Sequence, residues 1–169
     1  LPNWLEDKLS SAFKENLDEN YKSILEEPRF DIRVNKLFTN IEKVLLLLSK
    51  NNIQSKKTDF SPTGITINKR TAENKIRKIK KDFFEVQDEG SQIVTLLSGA
   101  KEKMKILDYC AGKGTKTLAI YNQIRGKGEI HVNDINPFRV KVLKKRFEKL
   151  NIKNEIKLFN NKKKFENYF

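Results

Sequence analysis

The stretch from Lys105 to Thr117 constrains this chain more than any other. Lys105-Ile106-Leu107-Asp108 reads as a short buried strand, Tyr109 to Gly114 as a tight turn, and Thr115 onward as the start of a helix. A parallel strand that turns at its carboxyl end straight into a helix needs backbone conformations closed to most side chains, and Gly112 and Gly114 supply them. The free amides of such a turn point outward at the helix start, where they suit a nucleotide-like ligand.

Asp134 ends the next apolar strand, 129–133, near the roughly 20-residue offset at which an acid accepts from ribose hydroxyls. Strand, glycine turn, helix and distant acid together predict an adenosine-type cofactor site. The pattern is not a P-loop, because no correctly spaced glycine precedes Gly114-Thr115-Lys116-Thr117. It is not a dinucleotide fingerprint either, because Thr117 stands where a third glycine would allow close helix packing.

The surrounding chain falls into three parts. Residues 1–28 are a helical lead-in, with Asn3 as a candidate cap, Trp4 as a core anchor and Pro28 as the stop. Residues 29–82 read as a small α+β module. Phe30 to Asn35 alternates apolar and polar, as a half-buried strand does. Thr39 and Glu42 form a capping box that opens a helix through Val44, Leu45, Leu47 and Leu48. Two short strands flank Ser61-Pro62-Thr63-Gly64, and this order resembles half or more of a ferredoxin-like fold. From residue 83 the pattern changes. A strand or extended segment at 83–87 precedes a helix capped by Asp88 and stopped at Gly99. Strand 104–108, helix 115–125, strand 129–133, helix 137–150 with Pro137 near its start, and strand 155–159 then alternate, which predicts α/β architecture with a parallel doubly wound sheet.

Charge bears on partners. The net charge is +13, a field that favours nucleic acid. The chain is also rich in Lys, Asn and Ile, a bias that AT-rich coding inflates everywhere. Lys69 to Lys81 concentrates Lys69, Arg70, Lys75, Arg77 and Lys78. It reads equally as a solvated connector and as a phosphate-contacting stripe, with Ile76 and Ile79 packing one side down. The single cysteine, Cys110, excludes an internal disulfide, and with His131 the only histidine no zinc site is expected. No run approaches the roughly 20 apolar residues of a membrane span. No signal peptide is visible, so a cytoplasmic location is the default, and the missing initiator Met reads as trimming or a fragment.

Val86-Gln87-Asp88-Glu89-Gly90-Ser91-Gln92, followed by Asp108-Tyr109-Cys110-Ala111-Gly112-Lys113-Gly114-Thr115-Lys116-Thr117, resembles the RsmB/Nop/Sun family of RNA cytosine-C5 methyltransferases. Leu1-Pro2-Asn3-Trp4-Leu5, Arg33-Val34-Asn35 and Ser61-Pro62 with Gly64-Ile65 also look like that family, so the likeness covers nearly the whole chain. It implies a partial Rossmann-like methyltransferase sheet, its first three strands, over 83–169, preceded by an RRM-like module over 29–82. It implies S-adenosylmethionine held by Cys110, Ala111, Gly112, Lys113, Gly114, Thr115 and Lys116, with ribose on Asp134 and Arg139 just beyond. Gln87 to Gln92 would support the methionine end. RNA, ribosomal by family, is the implied partner.

Three departures shape the expected function. Lys113-Gly114-Thr115 replaces the family's Pro-Gly-Gly, and Asn160 falls where the family places an adenine-contacting acid. The family's reactive cysteines lie in segments beyond Phe169. Cytosine C5 methylation needs a thiolate to attack C6, and Cys110, in the cofactor loop, is expected as a small residue packed under the turn. The chain is therefore read as the N-terminal part of such an enzyme, inactive alone, with an open edge on its first parallel strand. A non-enzymatic RNA-binding remnant and a general nucleotide-binding Rossmann protein are the competing readings.

Overall fold

The computed structural model describes residues 1–13, 16–68, 73–76, 79, 82–152 and 156–158. The elements in order are α1 (Asn3–Ala12), α2 (Leu17–Leu25), β1 (Phe30–Val34), α3 (Ile41–Lys50), β2 (Ser55–Lys57), β3 (Gly64–Ile67), α4 (Glu73–Ile76), β4 (Phe84–Val86), α5 (Glu89–Leu97), β5 (Lys105–Asp108), α6 (Thr115–Gln123), β6 (Glu129–Val132), α7 (Pro137–Lys149) and β7 (Ile156–Leu158). They build two sheets.

The first sheet has strand order β2-β3-β1-β4, antiparallel throughout. With α3 and α4 as its crossovers this is the β-α-β-β-α-β ferredoxin-like arrangement. Its core joins Phe30, Ile32 and Val34 of β1 to Val44 and Leu48 of α3, Ile65 and Ile67 of β3, Ile76 and Phe84. Ile79 packs against this core, as the sequence predicts. β4 pairs with β1 as Ile32↔Val86, Arg33↔Glu85 and Val34↔Phe84. The segment following the 82/83 boundary thus closes the first sheet rather than opening the second.

Several local expectations change. β1 is buried on both faces, not half-buried, because Asp31 and Arg33 are covered on the side away from the apolar core. Asp31 accepts from Thr66 Oγ1 at 2.7 Å and from the Glu89 amide at 3.2 Å. The cap of α3 is Asn40, whose Oδ1 accepts from the Lys43 amide at 2.9 Å, and not Thr39. Asn3 lies inside α1 behind Pro2 and caps nothing. Trp4 is 64% exposed and anchors no core among the described residues. Of the basic stretch, Lys75 is exposed on α4, while Lys69, Arg70, Arg77 and Lys78 lie outside the described residues.

The second sheet is parallel, in the order β5-β6-β7. α6 and α7 cross over between its strands and share a core of Leu118, Tyr121, Ile124, Leu143 and Phe147 with Ile130 and Val132 of β6. This is the opening half of a doubly wound Rossmann-like sheet. Asp88 caps α5 by accepting from the Ser91 amide at 2.8 Å, and Pro137 begins α7 behind its cap Asn136. Among the described residues β5 carries no partner on its outer edge.

Candidate cofactor-binding site

At the carboxyl end of β5 the chain enters the loop through backbone bonds to its neighbour. The Asn133 amide donates to Asp108 O and the Ala111 amide to Asn133 O, each at 2.9 Å. Tyr109 and Cys110 face outward and Ala111 is buried. Cys110 is exposed, so the expectation that it packs beneath the turn is overturned; the space under the turn is taken by Ala111 instead.

The two glycines do different work. Both have positive φ, 57° at Gly112 and 82° at Gly114. A Cβ on Gly114 would lie 3.1 Å from Leu143 Cγ and Phe147 Cζ, so this glycine lets α6 start close against α7. A Cβ on Gly112 would meet nothing within 4 Å. Gly112 therefore borders open space, where a ligand can approach the backbone. Behind it, Thr117 is fully buried and its Oγ1 donates to Asp108 Oδ2 at 2.6 Å. The residue that departs from a dinucleotide fingerprint is what ties the start of α6 to the end of β5.

Asp134 arrives from the end of β6. Its Oδ2 accepts from the Gly112 amide at 2.8 Å and its Oδ1 from the Asn136 amide at 2.9 Å. Arg139 Nη1 stands 4.0 Å from Oδ2. The Asn136 amide, then the Gly112 amide and Arg139, hold this carboxyl below the usual aspartate range against the opposing effect of desolvation. An ionised carboxylate offers about four acceptor sites, so each oxygen can still receive a hydroxyl. Gly112, Asp134 and Arg139 are thus brought together. Lys113 and Lys116 carry exposed side chains, Gly114 is buried and Thr115 is half-buried. Asn160 lies outside the described residues. Ile135, 96% exposed, and Phe138, 68% exposed, flank the acid and were not singled out in the sequence.

The segment 87–92 behaves differently from its expected role beside a ligand. Glu89 Oε1 accepts from the Phe60 and Ser61 amides at 2.6 and 2.8 Å. Gln92 Oε1 accepts from Ser61 Oγ at 2.7 Å, and its Nε2 donates to Gln87 O at 2.9 Å. Gln87 Oε1 accepts from Arg33 Nε at 2.6 Å. These side chains bind the loop before β3 and strand β1, so they join the two halves of the molecule. Burial opposes the charge of Glu89, but the two amides, with Thr58 and Arg29, outweigh it and keep its carboxyl below the ordinary range.

Arg33, Glu85 and Arg146, none of them on the sequence-derived site, meet behind the loop. Arg146 Nη1 donates to Lys113 O at 3.0 Å and to Thr115 Oγ1 at 3.2 Å, while its Nη2 pairs with Glu85. Arg33 Nη2 makes a long contact of 3.5 Å to Thr115 O. Desolvation, and less strongly the nearby Arg146 charge, bring the Arg33 pKa down to about 10 despite Glu85. Arg33 also borders a cavity of about 600 Å³ between β1, Pro62, α5 and α6, alongside Lys36 and Arg125. No group of His, Cys, Asp or Glu among the described residues is placed to hold a metal ion. No helix among them is long and apolar enough to cross a membrane.

Comparison with known proteins agrees with this geometry. The model for the RsmF/B-like methyltransferase ferredoxin-like domain matches residues 1–73, and the model for the 16S rRNA methyltransferase RsmB/F matches residues 94–169. The ribosomal RNA small subunit methyltransferase B of Photorhabdus laumondii is 27% identical over 150 residues, which span 89% of this chain and 35% of that protein. The chain therefore spans about a third of the length of this curated relative. Among solved structures, PH0851 superposes with a TM-score of 0.83 at 23% identity, over 94% of this chain and 36% of its own. NSun6 from Pyrococcus horikoshii, solved with SFG, gives a TM-score of 0.78 at 17% identity, over 95% of this chain and 65% of its own. At these identities the superpositions speak for the fold.

Proposed function

Because this chain belongs to the RsmB/Nop/Sun methyltransferase family, we propose that its 110–116 loop and Asp134 hold S-adenosylmethionine for the methylation of RNA, at cytosine C5 and in ribosomal RNA. The observation that carries this reading is the open space at Gly112 beside an ionised, largely buried Asp134. A cradle that a Cβ would fill, next to a carboxylate that can accept from two hydroxyls, fits the adenosine part of that cofactor. When bound, the cofactor would supply an electrophilic methyl group on a sulfonium.

The roles of this chain's own residues follow from placement. Gly112 would admit the ligand to the backbone, and Asp134 would accept from the ribose. The Asn136 and Gly112 amides, with Arg139 as the smallest contribution, would favour the ionised form of Asp134. Residues 110, 111, 113, 115 and 116 would line the loop around the donor. Asn160, and Lys69, Arg70, Lys75, Arg77 and Lys78 as RNA contacts, remain part of the proposal on sequence grounds. We divide the chain as lead-in, ferredoxin-like module and methyltransferase portion, with β4 assigned to the module by its pairing.

Attack on cytosine C6 requires a thiolate. Cys110 is the one cysteine in the chain and stands in the cofactor loop, so the 169 residues are assigned the donor-holding half of the reaction and no catalytic nucleophile. The net charge of +13 favours a second reading, in which the chain binds RNA without transferring a methyl group. Calorimetric titration with S-adenosylhomocysteine tests the cofactor site. Saturable binding that Asp134→Asn weakens at least about tenfold, a loss of roughly 1.4 kcal/mol, is the expected outcome. Absence of binding by the folded chain would overturn the cofactor reading and leave the RNA-binding and general nucleotide-binding readings.

A further inference from the structure

We propose that Glu85 and Arg146 are positioning residues for the cofactor loop, so that the ferredoxin-like module itself sets the shape of the donor site; this rests on the cofactor reading above. Within the loop the Ala111, Gly112 and Gly114 amides are already engaged, by Asn133 O, Asp134 Oδ2 and Ala111 O. The Lys113 carbonyl takes its donor from outside the loop. Arg146 supplies that donor to Lys113 O at 3.0 Å and also reaches Thr115 Oγ1 at 3.2 Å. It comes from α7, on the same side of the molecule as the loop. Its other arm pairs with Glu85, which belongs to β4 in the opposite sheet.

Glu85 lies directly across from Arg33 in the β1–β4 register. It therefore stands between two guanidinium groups, Arg33 and Arg146, that repel one another. Arg33 is 3% exposed, and no carboxylate among the described residues lies within 4.0 Å of it. Arg33 holds Gln87 Oε1 at 2.6 Å and approaches Thr115 O at 3.5 Å. Glu85 thus pairs with Arg146 and lies across from Arg33 in the strand register, and both cations reach Thr115 of the cofactor loop. Removing the Glu85 charge leaves the two cations facing each other with no anion between them. Arg146 is the more exposed, with 21% of its side chain accessible, and is the one free to swing away from Lys113 O.

Glu85 acts on the loop through Arg146 and Arg33, so its effect is on geometry and not on contact with the ligand. Linkage then requires reciprocity. If RNA bound to the module shifts β4 and changes cofactor affinity, the cofactor must change the affinity for that RNA by the same factor.

The test uses the full 169-residue chain and two variants. Glu85→Gln keeps the side chain's shape and removes its charge. Arg146→Lys keeps the charge and removes the planar fork that reaches the loop with Nη1 and Glu85 with Nη2. Lys145→Ala, at an exposed site on α7, is the control. Two quantities are read: the affinity for S-adenosylhomocysteine, and amide hydrogen exchange across 111–116 without ligand. Expected are a Kd raised at least about fivefold in both variants, faster exchange confined to the loop, and unfolding midpoints that stay close to the parent's. A parent that binds while both folded variants bind equally well, with unchanged loop exchange, overturns the positioning role and leaves the cofactor reading standing. A folded parent that does not bind S-adenosylhomocysteine overturns both.

Discussion

Gly112 and Gly114 stand two residues apart and answer to different demands. At Gly114 a side chain would strain a φ of 82° and press on Leu143 and Phe147, both core residues. At Gly112 it would strain a φ of 57° and touch only empty space. Left-handed backbone costs an L residue about 1–2 kcal/mol, and overpacking adds about 1–3 kcal/mol. Gly114→Ala should therefore lower unfolding free energy by about 2–5 kcal/mol in urea titration, and Gly112→Ala by only about 1–2 kcal/mol. The order should differ for ligand: Gly112→Ala weakens S-adenosylhomocysteine binding by more than its stability loss explains. Equal effects of the two substitutions in both measurements would remove the distinction.

Asp134 makes a second residue-scale prediction. Its folded pKa is depressed, so its contribution to stability is present above the ordinary aspartate value near 3.9 and is lost as pH falls through the folded value. Asp88 and Glu89 are depressed as well. The thermal midpoint should stay flat from about pH 8 to pH 5 and fall below about pH 4. The fall should be smaller in Asp134→Asn, which has no such proton to take up. A midpoint that drops between pH 7 and 6 would point to a different titrating group.

Among the elements, the segment from Gln87 to Gln92 shows how a specific motif can be misread. Its sequence likeness to the RsmB/Nop/Sun pattern points correctly to the family, yet Gln87, Glu89 and Gln92 bind the ferredoxin-like module, while Asp88 lies near Lys116 of the loop. Glu89 is the strongest of them, accepting two amides from the turn before β3. Charge-assisted hydrogen bonds of this kind contribute about 1.5–3 kcal/mol. Glu89→Ala should destabilise the chain by about that amount in denaturant titration, and Glu89→Gln by less, since an amide oxygen can still accept from Ser61 and Phe60. If both variants unfold at the parent's midpoint, the motif does not join the two halves. Elements with local determinants were easier to anticipate. Asp88 before α5 and Pro137 in α7 sit where the sequence puts them. At α3 the cap moved one residue, from Thr39 to Asn40, because both neighbours are good caps and only backbone geometry selects between them.

At the scale of the whole molecule, charge and topology govern what the chain can do. With a net charge of +13, affinity for single-stranded RNA should fall linearly on a log–log plot against salt, with a slope of about −0.7 per phosphate neutralised. Fluorescence anisotropy with a labelled oligoribonucleotide should give a slope of about −2 or steeper; a flat profile would exclude the basic surface as an RNA site. The order of strands and helices apart from α4 was legible in the sequence, and so was the glycine loop with its distant acid. Those features depend on short-range causes: hydrophobic periodicity, proline and caps at helix starts, and glycines that alone tolerate positive φ. Burial of Arg33, exposure of Cys110 and Trp4, and membership of β4 in the first sheet were not legible. Each depends on what comes close through space. The pairing of Glu85 with Arg146 belongs here too, since 60 residues of intervening chain separate them. The sequence by itself determined that a glycine turn would meet an acid at the end of two parallel strands. Only the tertiary structure decided that this turn is held from behind by a carboxylate of the other sheet, because Coulomb attraction and hydrogen-bond satisfaction act on distance in space and are blind to distance along the chain.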